Sequence, residues 1–508
     1  MKFGISAVIL TVINFISRIL GYVRDIFLAF FLGTNIYSDI YAICCRIPFF
    51  FRSVFFEGTF NSSYIPIVNS IEDKNKRKIF TFQLLIIFIV IFLPVIILFE
   101  VFTPNIISIF APGFISNPEY ELSILVARIS FPYLIFVVLT SFLIAVLNRN
   151  FFFISASLVH ILLNLTLIFV LILSLSSKHH AIIYIAWGLI ISGILQTAFL
   201  YFNVKNEFNL ISFGKIFMKE KIIDFFILFW PGIIIYGLAH FNRYIGYWFA
   251  SFEDGVLSYL YYAERLFYIP ITIISVSIFT VLLPYISKNM EINNYKKALY
   301  YQRMAFKYTL LFILPAGFGI FFLAENIIEF IFQRGVFNEI STLNTSIILK
   351  AFSFGIPANA LVLILLPYFF SSKKLKNIFI YTLIVFLLNI IIIYSLINKY
   401  GFIVIPSSYS FTSWLFAILL FISMSQQKFI IFDRVIYKNV FLYLFCSIII
   451  SLLIVIIKIL SRNFDLPNIL QLSISIISSI FVYFLLVMFF DKKTYKDFYL
   501  LFFNKTIK

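Results

Sequence analysis

The stretch NFISRILGYVRDIFLAFFLG (14–33) is long and apolar enough to cross a bilayer, which takes about 20 residues of helix. Within it Asn14, Arg18, Gly21 and Asp25 recur at intervals of four, three and four, the period of one helix face, and Arg24 lies to one side of that stripe. A charge carried into hydrocarbon is costly unless it faces protein or water. This first helix therefore announces both a membrane span and a polar interior for it to face. It has no short apolar core followed by a small-residue cleavage site, so it is read as a retained helix and not as a secretory signal.

Outward from that stretch the pattern repeats to the far end of the chain. Of 508 residues, 62% are hydrophobic and 12% charged, which excludes an ordinary soluble domain. Apolar runs are expected as helices near 4–32, 36–69, 79–103, 121–147, 152–173 and 181–203, then near 221–249, 255–287, 304–323, 341–371, 377–396, 403–424, 437–460 and 467–490. The expected fold is all-α integral membrane, about fourteen spans. Its divisions are an N-terminal lobe (1–204), a C-terminal lobe (221–424) and a terminal helix pair (437–490). The polar stretch 204–221 marks the boundary between lobes.

The net charge of +17 is that of a protein held against an anionic leaflet, not of a nucleic-acid binder, because of where the cations fall. With the N-terminus inside, the inner segments are EDKNKRK (72–78), NRN (148–150), 205–221, 288–303, KKLK (373–376), 428–438 and the tail. Together with Lys2 they hold about 25 cations, against about 4 outside, namely Lys178, Arg334, Lys399 and Arg462. A wrong span count would have scrambled that segregation. Both termini are accordingly expected on the cytoplasmic side of the inner membrane.

Charges inside spans concentrate in two places. The second span carries Asp39, Arg46, a kink expected at Pro48, then Arg52 and Glu57. In the other half, YLYYAERLFYIP places Ser258, Tyr261 and Arg265 on one face with Glu264 beside them, and the preceding helix adds Arg243. The alternative for single pairs such as Arg24–Asp25 or Glu264–Arg265 is a structural ion pair, and for arginines near helix ends snorkelling to headgroups. The set as a whole does not, since the carboxylates fail to balance the arginines. A cationic set drawn from both halves suits an anionic substrate, and the planar guanidinium fork donates in pairs to phosphate oxygens. Arg128 and Lys350 lie near span ends and are read as snorkelling, Lys458 as reaching the interface, and His160 as a packing residue.

Much chemistry is excluded. There is no phosphate-binding Gly-rich loop, no acid–His–Ser set and no zinc spacing; His179 and His180 sit in an outer loop. Cys44, Cys45 and Cys446 make no disulfide framework. Neither a catalytic residue, a metal nor a cofactor is expected. The abundance of Phe (69) and Tyr (30) goes with an Ile-, Lys- and Asn-rich coding bias and argues for no aromatic binding site.

With these residues in view, SRILGYVRDIFLAFFLG (17–33) and RIPFFFRSVFFEGTFNSSYIPI (46–67) resemble the opening of the MurJ (MviN) family of lipid II flippases. The resemblance continues in order through FAPGF (110–114), FPYLIFVVLTSFLIAVLN (131–148), LSYLYYAERLFYIP (257–270), TVLLP (280–284) and FQRGVF (332–337), and covers essentially positions 1–425. That family belongs to the multidrug/oligosaccharidyl-lipid/polysaccharide exporter superfamily. The resemblance implies two six-helix lobes around a central cationic cavity and alternating access that moves the peptidoglycan precursor from inner to outer leaflet. It implies that Arg18, Arg24, Arg52 and Arg265 bind the pyrophosphate and sugar, that Asp25, Asp39, Glu57, Glu264 and Ser17 tune or gate the cavity, and that the last two helices guide the polyprenyl tail. Lipid II, membrane lipids and cell-wall synthesis or division proteins are the implied partners.

The chain departs from the family pattern twice. Phe49 stands where Asn often follows the proline of the second span. HFNRYIGYWFASF (240–252) has Arg243 but not the acid that would serve as a sodium ligand, so sodium coupling is not expected. The rival within the same fold is a flippase for another polyprenyl-pyrophosphate-linked oligosaccharide. A drug exporter for organic cations would line its cavity with acids, and a cell-wall polymerase would need paired carboxylates in its outer loops.

Overall fold

The computed structural model describes residues 2–56, 59–150, 152–174, 178–204, 218–372, 374–427, 429, 433–464 and 466–492. Among these the chain is helical throughout, and each of the fourteen expected segments coincides with a helix or a broken helix. In order they are α1 (Lys2–Leu32), α2 (Ile36–Ile40), α3 (Ile47–Phe51), α4 (Thr59–Asn69), α5 (Lys74–Val101), α6 (Thr103–Phe110), α7 (Tyr120–Ser130), α8 (Tyr133–Arg149), α9 (Phe153–Leu173), α10 (Lys178–Val204) and α11 (Lys219–Ala250). The rest are α12 (Val256–Pro270), α13 (Val276–Glu291), α14 (Tyr295–Phe332), α15 (Glu339–Ser353), α16 (Gly355–Ser371), α17 (Leu375–Tyr400), α18 (Val404–Gln426), α19 (Arg434–Asn463) and α20 (Asn468–Phe490).

Among the described residues nine stretches are long and apolar enough to cross a membrane, or ten when α15 and α16, bent by 42° against each other, count as one. One of the nine, Leu375–Gln426, turns at Gly401 (φ +66°) and is the pair α17 and α18. The 31-residue α1 carries Arg18, Arg24 and Asp25 close together, which dilutes its apolar character without shortening it. The chain is a multi-pass membrane protein.

Two of the charge-bearing spans are interrupted by π-helical turns. The second span runs α2, a π-helical turn over Tyr41–Cys45, α3, a second π turn over Arg52–Phe56, and α4. In the later one, Pro270 ends α12 and a π turn over Ile271–Ser275 leads into α13. Proline removes a backbone donor and crowds the preceding turn, and a π turn absorbs the mismatch by widening the hydrogen-bonded ring. A single kink was expected at Pro48; the strain is instead spread over two π turns flanking α3.

The chain divides into two compact units, residues 1–258 with 334–338, and 259–333 with 339–508. In the first, α1 packs on α9, α9 on α10, α10 on α8, and α11 on α4. Its core is aromatic: Phe60, Phe88, Phe142, Phe225 and Phe229 from α4, α5, α8 and α11 meet with ring centroids 5.1–6.3 Å apart. Offset and edge-on contacts of this kind add to plain burial. Asp73 caps α5 by accepting from the backbone of Asn75 and Lys76, which holds its exposed carboxyl below the usual range. Outward, Val90, Leu93, Ile97 and Val101 of α5 are half-exposed or more, a surface made for lipid.

In the second unit α14 is the central post, touching α13, α15, α16, α19 and α20. The terminal pair is fastened to it at several heights. Arg303 pairs with Asp433 at 2.9 Å and Lys307 with Asp491 at 3.4 Å, while the Tyr483 hydroxyl donates to the Leu311 carbonyl at 2.6 Å and Lys458 donates to the Phe322 carbonyl at 3.1 Å. Lys458, expected to reach the interface, is thus held by a helix carbonyl. Leu323, Ile454 and Leu472 fill the space between these polar ties.

Two of the quoted motifs turn out to be packing devices in the first unit. Gly113 of FAPGF donates its N–H to the Ser251 hydroxyl (3.1 Å), and a Cβ there would overlap the Ser251 carbonyl. Gly335 of FQRGVF has φ +61°, and a Cβ would come within 2.5 Å of the Phe30 carbonyl, the same oxygen that accepts from Val336 N–H at 3.0 Å. Backbone meets backbone at both places, which only glycine permits. We expect Gly113→Ala to lower the stability of the solubilised protein by about 1–3 kcal/mol, since its neighbour is backbone and cannot swing aside. Gly319→Ala, in α14 with nothing within 4 Å, should leave the melting temperature unchanged or higher. Thermal melting of the two variants side by side checks this.

Candidate functional site

In the first unit Arg24 of α1 and Arg52 of the second span meet two residues, Asn164 and His160, one turn apart on α9. Arg24 and Asp25, 7% and 1% exposed, form an ion pair at 2.9 Å. Another arm of Arg24 donates to the Asn164 side-chain oxygen at 3.1 Å, and the Asn164 amide donates to the Ser17 carbonyl at 3.1 Å. A buried guanidinium is tolerable only when its donors are met, and here a carboxylate and an amide meet them. Ser17 takes part through its main chain.

One turn along α9 from Asn164 stands His160. Arg52 donates to its Nδ1 at 3.1 Å, so the ring accepts as a neutral imidazole. His160, read from sequence as packing, is therefore a polar partner. Arg46 donates to the Tyr247 hydroxyl at 3.1 Å and lies 5.9 Å from that ring. Phe49, at the position where the family often has Asn, packs its ring 5.6 Å from Tyr133. The early stripe divides along its length: Asn14 and Arg18 are exposed, Gly21 is half-buried and Asp25 is buried.

Asp39 has a definite task. It accepts from Gly255 N–H (2.6 Å), Ser258 N–H (2.8 Å) and the Ser258 hydroxyl, while Ser38 and Ser258 hydroxyls meet at 2.8 Å. A carboxylate on the first-turn N–H groups of α12 is a helix cap supplied by a distant residue, favoured by the positive end of the helix. That charge is committed to backbone. Glu57 lies outside the described residues, as do the side chains of His179 and His180.

In the second unit, Arg265 donates to the Tyr261 hydroxyl at 3.1 Å one turn away, its guanidinium 5.0 Å from that ring. Glu264 beside it is 8% exposed. A tyrosine under an arginine orients the fork and supplies some cation–π attraction without neutralising it. Arg46, Arg52 and Arg265 thus each meet a ring side chain, Tyr247, His160 and Tyr261. Among the described residues no group of three or more His, Cys, Asp or Glu side chains is placed to hold a metal ion.

The arginines were legible from sequence; the neutral groups that orient them were not. The available signal was the four-residue spacing of His160 and Asn164 in an otherwise apolar helix, the same kind of stripe that marked α1.

Comparison with known proteins places these features. The family model described as "Lipid II flippase MurJ" matches residues 28–490. A probable lipid II flippase MurJ of Rickettsia prowazekii is 34% identical over 381 residues, 73% of this chain and 74% of its own length. One from Buchnera aphidicola subsp. Acyrthosiphon pisum is 32% identical over 439 residues, 84% of each chain. A solved structure titled "Lipid II flippase MurJ, inward closed conformation" superposes with TM-score 0.83 at 27% identity, covering 96% of this chain and 99% of its own. A multidrug resistance MATE family transporter of the MOP superfamily, 12% identical with TM-score 0.66 over 83% of this chain and 98% of its own, shares the fold.

Removing Asn164 should cost stability because a buried arm of Arg24 loses its acceptor: about 1–3 kcal/mol for Asn164→Ala. Asn14→Ala, exposed on α1, should cost nothing measurable. Chemical or thermal unfolding of the purified variants reads the difference.

Proposed function

Because this chain belongs to the lipid II flippase MurJ family, we propose that it carries lipid II from the inner to the outer leaflet of the cytoplasmic membrane by alternating access through a cationic cavity. It is a transporter and not an enzyme. Arg18, Arg24, Arg52 and Arg265 are the residues that take the pyrophosphate and sugar, with Asp25, Asp39, Glu57, Glu264 and Ser17 setting their positions. The observation that carries the reading is the contact of Arg52 with the neutral His160, and of Arg265 with Tyr261, inside apolar spans. Each of these contacts orients its arginine.

The charge count gives the cycle a direction. The residues singled out for the cavity, Arg18, Arg24, Arg46, Arg52, Arg243 and Arg265 against Asp25, Asp39, Glu57 and Glu264, are six positive against four negative. An anionic headgroup moving outward, or an empty cationic site returning inward, is favoured by an inside-negative potential at about 2.3 kcal/mol per charge per 100 mV. Both termini lie in the cytoplasm, α19 and α20 guide the polyprenyl tail, and cell-wall synthesis or division proteins are the candidate protein partners.

Depletion of the protein in its host should trap labelled lipid II in the inner leaflet, as read by a probe confined to the outer one. Wild type should restore outer-leaflet lipid II, and Arg52→Ala should fail to do so while still inserting. Normal distribution on depletion would shift the assignment to another polyprenyl-pyrophosphate-linked oligosaccharide.

A further inference from the structure

A second lipid-shaped feature lies in the second unit, apart from the terminal helix pair. Between α13 and α14 runs an open groove of about 490 Å³ whose walls include Ser277, Ile278, Val281, Tyr285, Tyr301 and Ala305. Its floor is a packed cluster of Leu282, Ile286, Ala305 and Ile364. Val281 and Tyr285 remain 61% and 49% exposed along its wall.

Sequence spacing shows what stands at one end of it. On α13, Ser277, Val281 and Tyr285 continue at helical period to Lys288; on α14, Ala305 and Tyr301 continue back to Lys297. The two helices are joined by the tight turn 292–294, in which Asn293 has φ +56° and Asn294 caps α14 by accepting from Lys297 N–H at 3.2 Å. Both lysines are exposed and lie at that same end, and the Tyr285 and Tyr301 rings meet 4.8 Å apart between them and the apolar floor.

We propose that this groove seats one anionic phospholipid, an acyl chain along Ile278, Leu282 and Ala305 and the phosphate between Lys288 and Lys297. Tyrosines at the junction match the interfacial preference of amphipathic rings, and paired lysines at a helix-hairpin end match an acidic headgroup. A partner helix does not suit the space: a cylinder about 10 Å across would fill it within about one turn. A chain one methylene wide does.

The test uses the full-length protein, purified and exposed to phosphatidylglycerol, phosphatidylethanolamine or undecaprenyl phosphate, with bound lipid counted by native mass spectrometry. Wild type should retain one phosphatidylglycerol in preference to phosphatidylethanolamine. The exposed-site double variant Lys288→Gln/Lys297→Gln should lose that preference by about thirtyfold, two lysines at the surface. Val281→Trp should block retention of either phospholipid. Equal retention of both headgroups by wild type, or retention untouched by Val281→Trp, would overturn the proposal. Displacement of phosphatidylglycerol by undecaprenyl phosphate would also overturn it and reassign the groove to the cargo's tail. Because the readout is bound phospholipid, it stands or falls independently of lipid II movement.

Discussion

A guanidinium inside a bilayer must find its acceptors in the protein, and much of the first unit is arranged around that requirement. Arg24 is met by Asp25 beside it and by Asn164 of α9, which reaches on to the Ser17 carbonyl. That chain of contacts fixes α1 against α9 in register. His160, one turn away on the same helix, then meets Arg52. Two polar residues in one apolar helix thereby position two arginines from different elements.

The same constraint governs the carboxylates. Asp39 is directed at the backbone of Gly255 and Ser258, where it completes the start of α12. Lys307–Asp491 and Arg303–Asp433 tie α14 to the terminal pair. Hydrophobic force does not hold helices together in lipid, so such polar ties and close glycine contacts carry the packing.

The helical class, the span positions and the loop charges were legible because hydropathy and cation segregation are one-dimensional signals. The arginines were legible because charge in an apolar run is conspicuous. What sequence did not show was three-dimensional pairing: His160 looked like packing, Lys458 like an interfacial lysine, and Pro48 like a single kink. The glycines of FAPGF and FQRGVF carried the family resemblance, yet their reason is a backbone approach between residues far apart in the chain. The aromatic excess, assigned no binding role, supplies the core where α4, α5, α8 and α11 meet.

The central claim is that arginines oriented by neutral partners bind the pyrophosphate. Its most direct test is the affinity of the purified protein for lipid II before and after Arg52→Gln, which keeps a polar side chain at His160 and removes the charge. Loss of one charge-assisted phosphate contact should weaken binding by about tenfold or more. Unchanged affinity would show that Arg52 serves the fold alone and would contradict the account.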